Sequence, residues 1–411
     1  MYRKLFIYIG LIIFAINIGN SNISNLFSFI KQKVLIHTIT KETTNICKPL
    51  QQKIEDYIYD FRNNISISIL TENGKFIVDI NGDLARIPAS NQKILSSAFA
   101  LDNLGPHYTL NTSLIKLYDG SLFIDASGDP DFDRYHLNFL ISGLNKSTNS
   151  SEGKIPIFIV NKNSVNWWPS SWSAIDRKKE YGAPITKYSI ASNANAHALI
   201  NPINNFVNEL ESVIRLNKLS DKYFVEILNH GRSIDFISTI KTVHSAPLYV
   251  LLNLINSQSH NFTSEVVFRH ALNNWSHAFP NEKYQKWLTN QNFNSARFVF
   301  ADASGLSRDN RVTTSGLSQF LRRMTLNRYS DYYYSSFSIL GVRGSLSKVQ
   351  SPLSLKGRVI AKSGTLNNVK SVSGIILGQR KYFSIIVNNM EDSLKYIIEI
   401  LSIVDKETFC M

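Results

Sequence analysis

The sequence predicts an α+β fold: an antiparallel sheet flanked by helices, built from both ends of the chain, with a mostly β insertion between them. Three observations carry this. Ile65, Ile67 and Ile69 alternate, Asn73-Gly74 turns the chain, and Phe76, Val78 and Ile80 alternate again, which is a hairpin pattern. Near the other end a Val372 to Leu377 run is linked by Gly378 to Lys381 to a Tyr382 to Val387 run, and a last helix follows. From about Tyr108 to about Val243, short apolar runs alternate with Gly, Asn, Ser and Pro clusters.

Taken in order, the chain opens with Arg3 and Lys4 before an apolar run from Leu5 to Ile18, interrupted only by Asn17 and followed by Gly19-Asn20-Ser21. This is signal-peptide anatomy and is short for a bilayer span. A leader over residues 1–21 is expected, cleaved or kept as an anchor. The expected location is the periplasm or the outer face of the cytoplasmic membrane. A helix beginning near Pro49 carries Leu50, Ile54, Tyr57, Ile58 and Phe61 on one stripe, and the hairpin follows it. After Pro88-Ala89-Ser90 the apolar pattern Ile94, Leu95, Ala98, Phe99, Leu101 and Leu104 ends at Gly105-Pro106, a buried helix with Pro near its start and a Gly stop. The insertion shows strand-like runs at Leu114 to Leu117, Ile157 to Val160 and Phe224 to Ile227, and a helix over Phe206 to Ile214. Asp392-Ser393 opens a final helix striped by Leu394, Ile397, Ile398, Leu401 and Val404. The expected organisation is a core from residues 22–107 and 244–411 with residues 108–243 inserted.

At 411 residues and 44% apolar content the chain is globular rather than disordered, and its formal charge is +13. The basic residues are scattered, and for an exported protein they point toward the cell envelope and away from nucleic acid. They also leave association with a membrane surface open. Two cysteines, Cys47 and Cys410, make neither a disulfide framework nor a thiol zinc site. Cys47 precedes the first helix and Cys410 follows the last. If those helices pack antiparallel, a disulfide joins them in an oxidising compartment; two unpaired thiols are the alternative. No metal or cofactor is called for. Asp129, Asp131 and Asp133 imitate the start of a calcium loop, but Arg134 fills its glycine position and Leu140 its closing position, so a turn is expected. Trp167, Trp168 and Trp172 suit either stacking on glycan rings or the core of the insertion.

Three motifs bear chemistry. In Ser90-Asn91-Gln92-Lys93 the serine falls in the first helical turn, where free N–H groups favour developing negative charge. Lys93, three residues on, is its surface neighbour. Burial and a cationic neighbour, for which Lys362 is the candidate, would lower the lysine pKa and free its amine as a general base. Ser259-His260-Asn261 lies between helical runs, where a hydroxyl can relay a proton and an amide can orient Lys93 and a substrate carbonyl. Lys362-Ser363-Gly364-Thr365 reads as an edge strand. Its ammonium and the Ser363 hydroxyl would hold a substrate carboxylate, and Gly364 would permit close backbone approach. Backbone N–H groups of Ser90 and Thr365 would form an oxyanion hole.

In this order the motifs resemble those of the penicillin-recognising serine acyltransferases. The chain as a whole resembles a penicillin-binding protein 4 type D-alanyl-D-alanine carboxypeptidase/endopeptidase, a class C low-molecular-mass penicillin-binding protein. Ile87-Pro88-Ala89-Ser90, Leu104-Gly105-Pro106, Ser127-Gly128-Asp129-Pro130, Tyr181-Gly182-Ala183-Pro184, Asp302 to Arg308 and Gly344-Ser345-Leu346 carry the likeness. It implies a β-lactamase/transpeptidase-like domain with a long insertion after the nucleophile. It also implies catalytic Ser90, Lys93, Ser259 and Asn261, and substrate binding by Lys362, Ser363, Gly364 and Thr365. Ser307, in a loop signature, is a secondary candidate. Peptidoglycan stem peptides are the implied substrate and β-lactams the implied covalent inhibitors. Three departures touch rate or substrate preference: Ser363 stands where Thr is commoner, His260 at a variable position, and Ala303 where Gly is usual. The alternatives are a β-lactamase-like hydrolase on the same fold and a catalytically idle peptidoglycan-binding scaffold.

Overall fold

In the computed structural model, residues 46–144, 153–160, 167–228, 236–275, 282–291, 298–407 and 410 are described. The leader expected over residues 1–21 lies outside them. Helix α1 (Lys48–Tyr57) buries Leu50 and Ile54 and precedes β1 (Ile65–Leu70) and β2 (Phe76–Ile80). A single turn over Ala89–Asn91 enters α2 (Gln92–Leu104), which stops at Gly105 with φ 79°. The left-handed φ is what a glycine tolerates without cost.

The chain then forms β3 (Asn111–Leu117), β4 (Leu122–Asp125), α3 (Arg134–Ile141), β5 (Ile155–Val160), α4 (Pro202–Leu216), β6 (Tyr223–Leu228) and β7 (Phe236–His244). The sheet of these strands runs β6-β5-β4-β3-β7. The β3 pairings are antiparallel, while β4–β5 and β5–β6 are parallel. Leu137 and Leu140 of α3 and Phe206, Leu210 and Val213 of α4 share a core with Leu114, Ile124 and Ile159. Helix α3 is the addition to the mostly β expectation. Asp133 is its N-cap, accepting from the His136 amide at 3.0 Å, and Asp129 accepts from the Asp131 amide. The acidic triplet is therefore spent on a turn and a cap.

The chain then forms α5 (Leu248–Asn256), α6 (Asn261–Leu272), α7 (Glu282–Asn290), α8 (Thr314–Met324), α9 (Ser330–Ser335), β8 (Ser338–Ile339), β9 (Val359–Leu366), β10 (Val369–Ile376), β11 (Lys381–Asn388) and α10 (Leu394–Lys406). The principal sheet, β2-β1-β11-β10-β9-β8, is antiparallel throughout and places the first strands beside the last. Cys47 and Cys410 are bonded to each other, with Cα atoms 5.8 Å apart.

Both faces of this sheet are covered, which is why β1 and β11 are buried at every position. On one face Ile67, Ile385 and Val372 pack with Leu50 and Ile54 of α1 and Ile397 and Leu401 of α10. The other face carries a row of small polar residues in register: Ser68 opposite Ser384, Ser384 opposite Ser373, and Ser373 opposite Lys362. Those short side chains let the Ala89–Asn91 turn rest on the sheet. Asn91 Nδ2 donates to Ser373 Oγ at 2.6 Å and Ser371 Oγ donates to the Pro88 carbonyl at 2.6 Å. Trp172 is a correction to the expectation for the tryptophans. It neither stacks outward nor fills the insertion's own core; it is buried with Phe99, Phe268 and Phe300 in the main core.

Candidate active site

The turn before α2 is held under tension. Ala89 has φ +48°, a left-handed conformation that costs a non-glycine residue roughly 1–2 kcal/mol. Its carbonyl is wedged against Gly305, where an added Cβ would come within 1.9 Å. The result is a half-buried Ser90 at the mouth of α2, one turn from Lys93.

Lys93 is fully buried. Its Nζ lies 3.0 Å from Ser90 Oγ, 2.6 Å from Asn261 Oδ1 and 2.6 Å from the Ser304 carbonyl. A neutral amine has two N–H bonds and one lone pair. The two carbonyl oxygens can only accept, so they take the two N–H bonds and turn the lone pair toward the Ser90 hydroxyl. Burial pushes the Lys93 pKa down to about 7, against the opposing pull of Asp302 and Glu265. Of the two expected causes, burial is the principal one, and Lys362 does not contribute to the depression. Lys362 is itself fully buried and held well below its ordinary pKa, first by burial and then by repulsion from Lys93.

Lys362 Nζ donates to Ser259 Oγ at 2.9 Å and to the Ser363 carbonyl at 2.6 Å. Ser259 lies in the α5–α6 connection with φ +63°. His260, burial having pulled its pKa down to about 4, pairs through Nδ1 with Thr263 Oγ1 at 2.6 Å. Asn261 begins α6, and its Nδ2 donates to the Tyr181 carbonyl at 2.8 Å; that contact fixes the amide so that its oxygen faces Lys93. The three motifs thus converge, and Tyr181 contributes to their alignment through its carbonyl.

Strand β9 is an edge only in part. Strand β8 pairs with Ile360 and Ala361, and among the described residues no strand pairs with the outer side of residues 362–366, an edge that can take an added strand. Lys362 and Gly364 point inward, while Ser363 and Thr365 alternate outward. Ser363 Oγ is 2.6 Å from Ser345 Oγ, which is 3.1 Å from Ser338 Oγ. Thr365 Oγ1 accepts from Lys370 Nζ at 2.9 Å.

Ser307 serves the loop beside the site. Its hydroxyl accepts from the Asp309 amide at 3.1 Å and its own amide donates to Asp302 at 2.6 Å. Asp302 organises that loop, accepting also from Gly305 N, Asn310 Nδ2 and Trp172 Nε1 at 2.6–2.8 Å. Sequence reasoning identified the Asp302 to Arg308 signature without its function, which is to present the Ser304 carbonyl. It placed Tyr181 and Ser345 within signatures without assigning them a role, and it missed Glu265. Glu265 is a lone acid with no spacing rule, and Tyr181 acts through its main-chain carbonyl, which no residue pattern records.

The profile of the D-Ala-D-Ala carboxypeptidase 3 (S13) family matches residues 50–206 and 231–403. No curated protein matches the chain by sequence. Among solved structures, penicillin binding protein 4 from Haemophilus influenzae aligns with TM-score 0.70 and 20% identity, covering 86% of this chain and 99% of that one. The same protein complexed with a β-lactam aligns with TM-score 0.68, the identity and coverage unchanged. The penicillin G acylated predatory endopeptidase Bd3459 from Bdellovibrio bacteriovorus aligns with TM-score 0.50 and 18% identity, covering 83% of this chain and 90% of that one.

Proposed function

Because the chain belongs to the D-Ala-D-Ala carboxypeptidase 3 (S13) family, we propose that it hydrolyses D-alanyl peptide bonds of peptidoglycan stem peptides through an acyl-enzyme on Ser90. The observation that carries this reading is the Lys93 amine, fixed by two carbonyl acceptors with its remaining valence toward Ser90 Oγ. With its pKa at about 7, roughly half of the amine is in the neutral, basic form at neutral pH. It takes the Ser90 proton as the hydroxyl oxygen bonds to the substrate carbonyl carbon. The Ser90 and Thr365 amides receive the oxyanion. The proton then passes to the leaving amine by way of Lys93 or the Ser259 hydroxyl, and the peptide C–N bond breaks. Water attacks the ester, restores Ser90 and releases the acid.

Lys362 and Ser363 hold the terminal carboxylate of the donor, and the open side of β9 receives its backbone. When the leaving group is a terminal D-alanine the activity is carboxypeptidase; when it is the amine of a cross-linking diamino acid it is DD-endopeptidase. A β-lactam presents the same carbonyl and carboxylate and traps the same serine. The β-lactam complex and the penicillin G acyl form of the structural relatives support this.

Export to the periplasm, or to the outer face of the cytoplasmic membrane, completes the reading. The leader-like run at Leu5 to Ile18 and the Cys47–Cys410 bond, of a kind that persists in oxidising compartments, support it. The positive charge suits contact with an anionic membrane surface. Fusion of residues 1–30 to a reporter active only outside the cytoplasm tests export directly.

The principal test is covalent labelling by fluorescent penicillin, with mass spectrometry of products from purified muropeptides. Labelling that depends on Ser90 and Lys93, together with released D-alanine or resolved cross-links, is expected. No label on folded wild-type protein would sink the proposal. Rapid turnover of the label would assign a β-lactamase instead.

A further inference from the structure

Lys93 depends on a carbonyl that has its own support. Ser304 offers that carbonyl at 2.6 Å from Nζ, and the amide of the same residue donates to Glu265 Oε1 at 2.8 Å. Glu265 is completely buried, as is Arg269 one turn along α6. Arg269 Nη1 donates to Glu265 Oε2 at 2.7 Å and to the Glu265 carbonyl at 2.9 Å. One carboxylate oxygen is therefore clamped by the guanidinium while the other grips the loop.

A buried ion pair is costly to form and is weak grounds for stability. An apolar pair of the same volume would pack the interior at least as well. The pair's placement supplies what an apolar pair could not, an acceptor rigid enough to fix Ser304. The other side of the loop is held by Asp302, through Gly305 N and Ser307 N. Ser304 is caught between the two carboxylates: Glu265 takes its own amide and Asp302 takes the amide of Gly305, in the peptide unit whose Ser304 carbonyl is directed at the amine.

We infer that Glu265, locked by Arg269, is a positioning residue for catalysis, setting the Ser304 carbonyl so that the Lys93 amine faces Ser90. Glu265 is not itself a catalytic residue. It acts through one backbone amide, and what matters for that task is the reach of an oxygen acceptor, with the negative charge needed only to offset Arg269. The inference rests on the acyl-enzyme reading above.

The test separates reach from charge. E265D keeps the carboxylate but is one methylene shorter, whereas E265Q/R269M keeps the reach of an Oε acceptor and removes both charges together. The rate of labelling by fluorescent penicillin is measured at the alkaline plateau, resolved into non-covalent affinity and the acylation step. Circular dichroism melts accompany it, and E265Q alone replaces the double variant if that one is unfolded. Positioning predicts that E265D acylates about 10²-fold more slowly, the loss expected from a small misplacement of a reacting group, with non-covalent affinity unchanged. The glutamine variant should stay within a few-fold of wild type. Equal rates, or E265D the faster, would overturn the inference. If neither glutamine variant folds, E265D decides alone: wild-type acylation overturns the inference, and slow acylation at unchanged affinity supports it. Absence of label on the wild type would instead defeat the proposed function.

Discussion

The backbone of Gly364 lies directly against the amide of Ser90: a Cβ built on Gly364 would come within 2.9 Å of Ser90 N, 2.8 Å of the Pro88 carbonyl and 2.3 Å of Ser371 Oγ. This approach brings β9 against the Ser90 turn. Gly364→Ala must push β9 away from the Ser90 turn, since two of the three atoms it meets are backbone. A shift of this kind costs about 10²-fold in reactivity. Stopped-flow acylation by a chromogenic β-lactam checks it, with the melting temperature separating misplacement from unfolding.

Replacing the base should be more severe. Lys93→Met removes the amine while preserving bulk, and acylation should fall by about 10²–10⁴-fold, the usual contribution of a general base. Ser90→Ala should abolish labelling. Mass spectrometry of the intact protein after penicillin treatment reads both.

Acylation should also depend on pH through Lys93. Its folded-state pKa lies at about 7, and the reactive form is the neutral one. The rate should therefore rise with pH through about 7 and level off above it. Below that midpoint the amine is protonated and the rate falls tenfold per pH unit. A profile of acylation that is flat from mildly acid to mildly alkaline pH would contradict Lys93 as the base.

Lys362→Ala should act on binding as well as on chemistry. Without the ammonium beside Ser259 and Ser363, a donor peptide loses the partner of its carboxylate, and an ester or amide blocked at that carboxyl should discriminate little between variant and wild type. Comparing KM for free-acid and blocked peptides measures the effect.

Cys47 and Cys410 tie the first helix to the chain end across a separation of 363 residues. Cys47→Ser with Cys410→Ser should lower unfolding free energy by about 2–5 kcal/mol and leave the acylation rate of the folded protein unchanged. Urea titration with and without reductant measures the first, penicillin labelling the second. Two free thiols on the non-reduced mature protein would contradict the bond.

Features governed by short-range rules are legible in the residues. The period-2 isoleucines specified the β1–β2 hairpin, the apolar stripe ending at Gly105 specified α2, and the three-residue spacing in Ser90 to Lys93 placed amine beside hydroxyl on one helical face. Helix α3 escaped because Asp133, its cap, read as part of a turn. The state of the site depends on packing. Whether Lys93 is neutral depends on how completely packing removes it from water, and the direction of its lone pair depends on Asn261 and Ser304, residues set by α6 and by a loop anchored on Asp302 and Glu265. Desolvation and hydrogen-bond geometry are sums over neighbours distant along the chain, and no local pattern of residues records them.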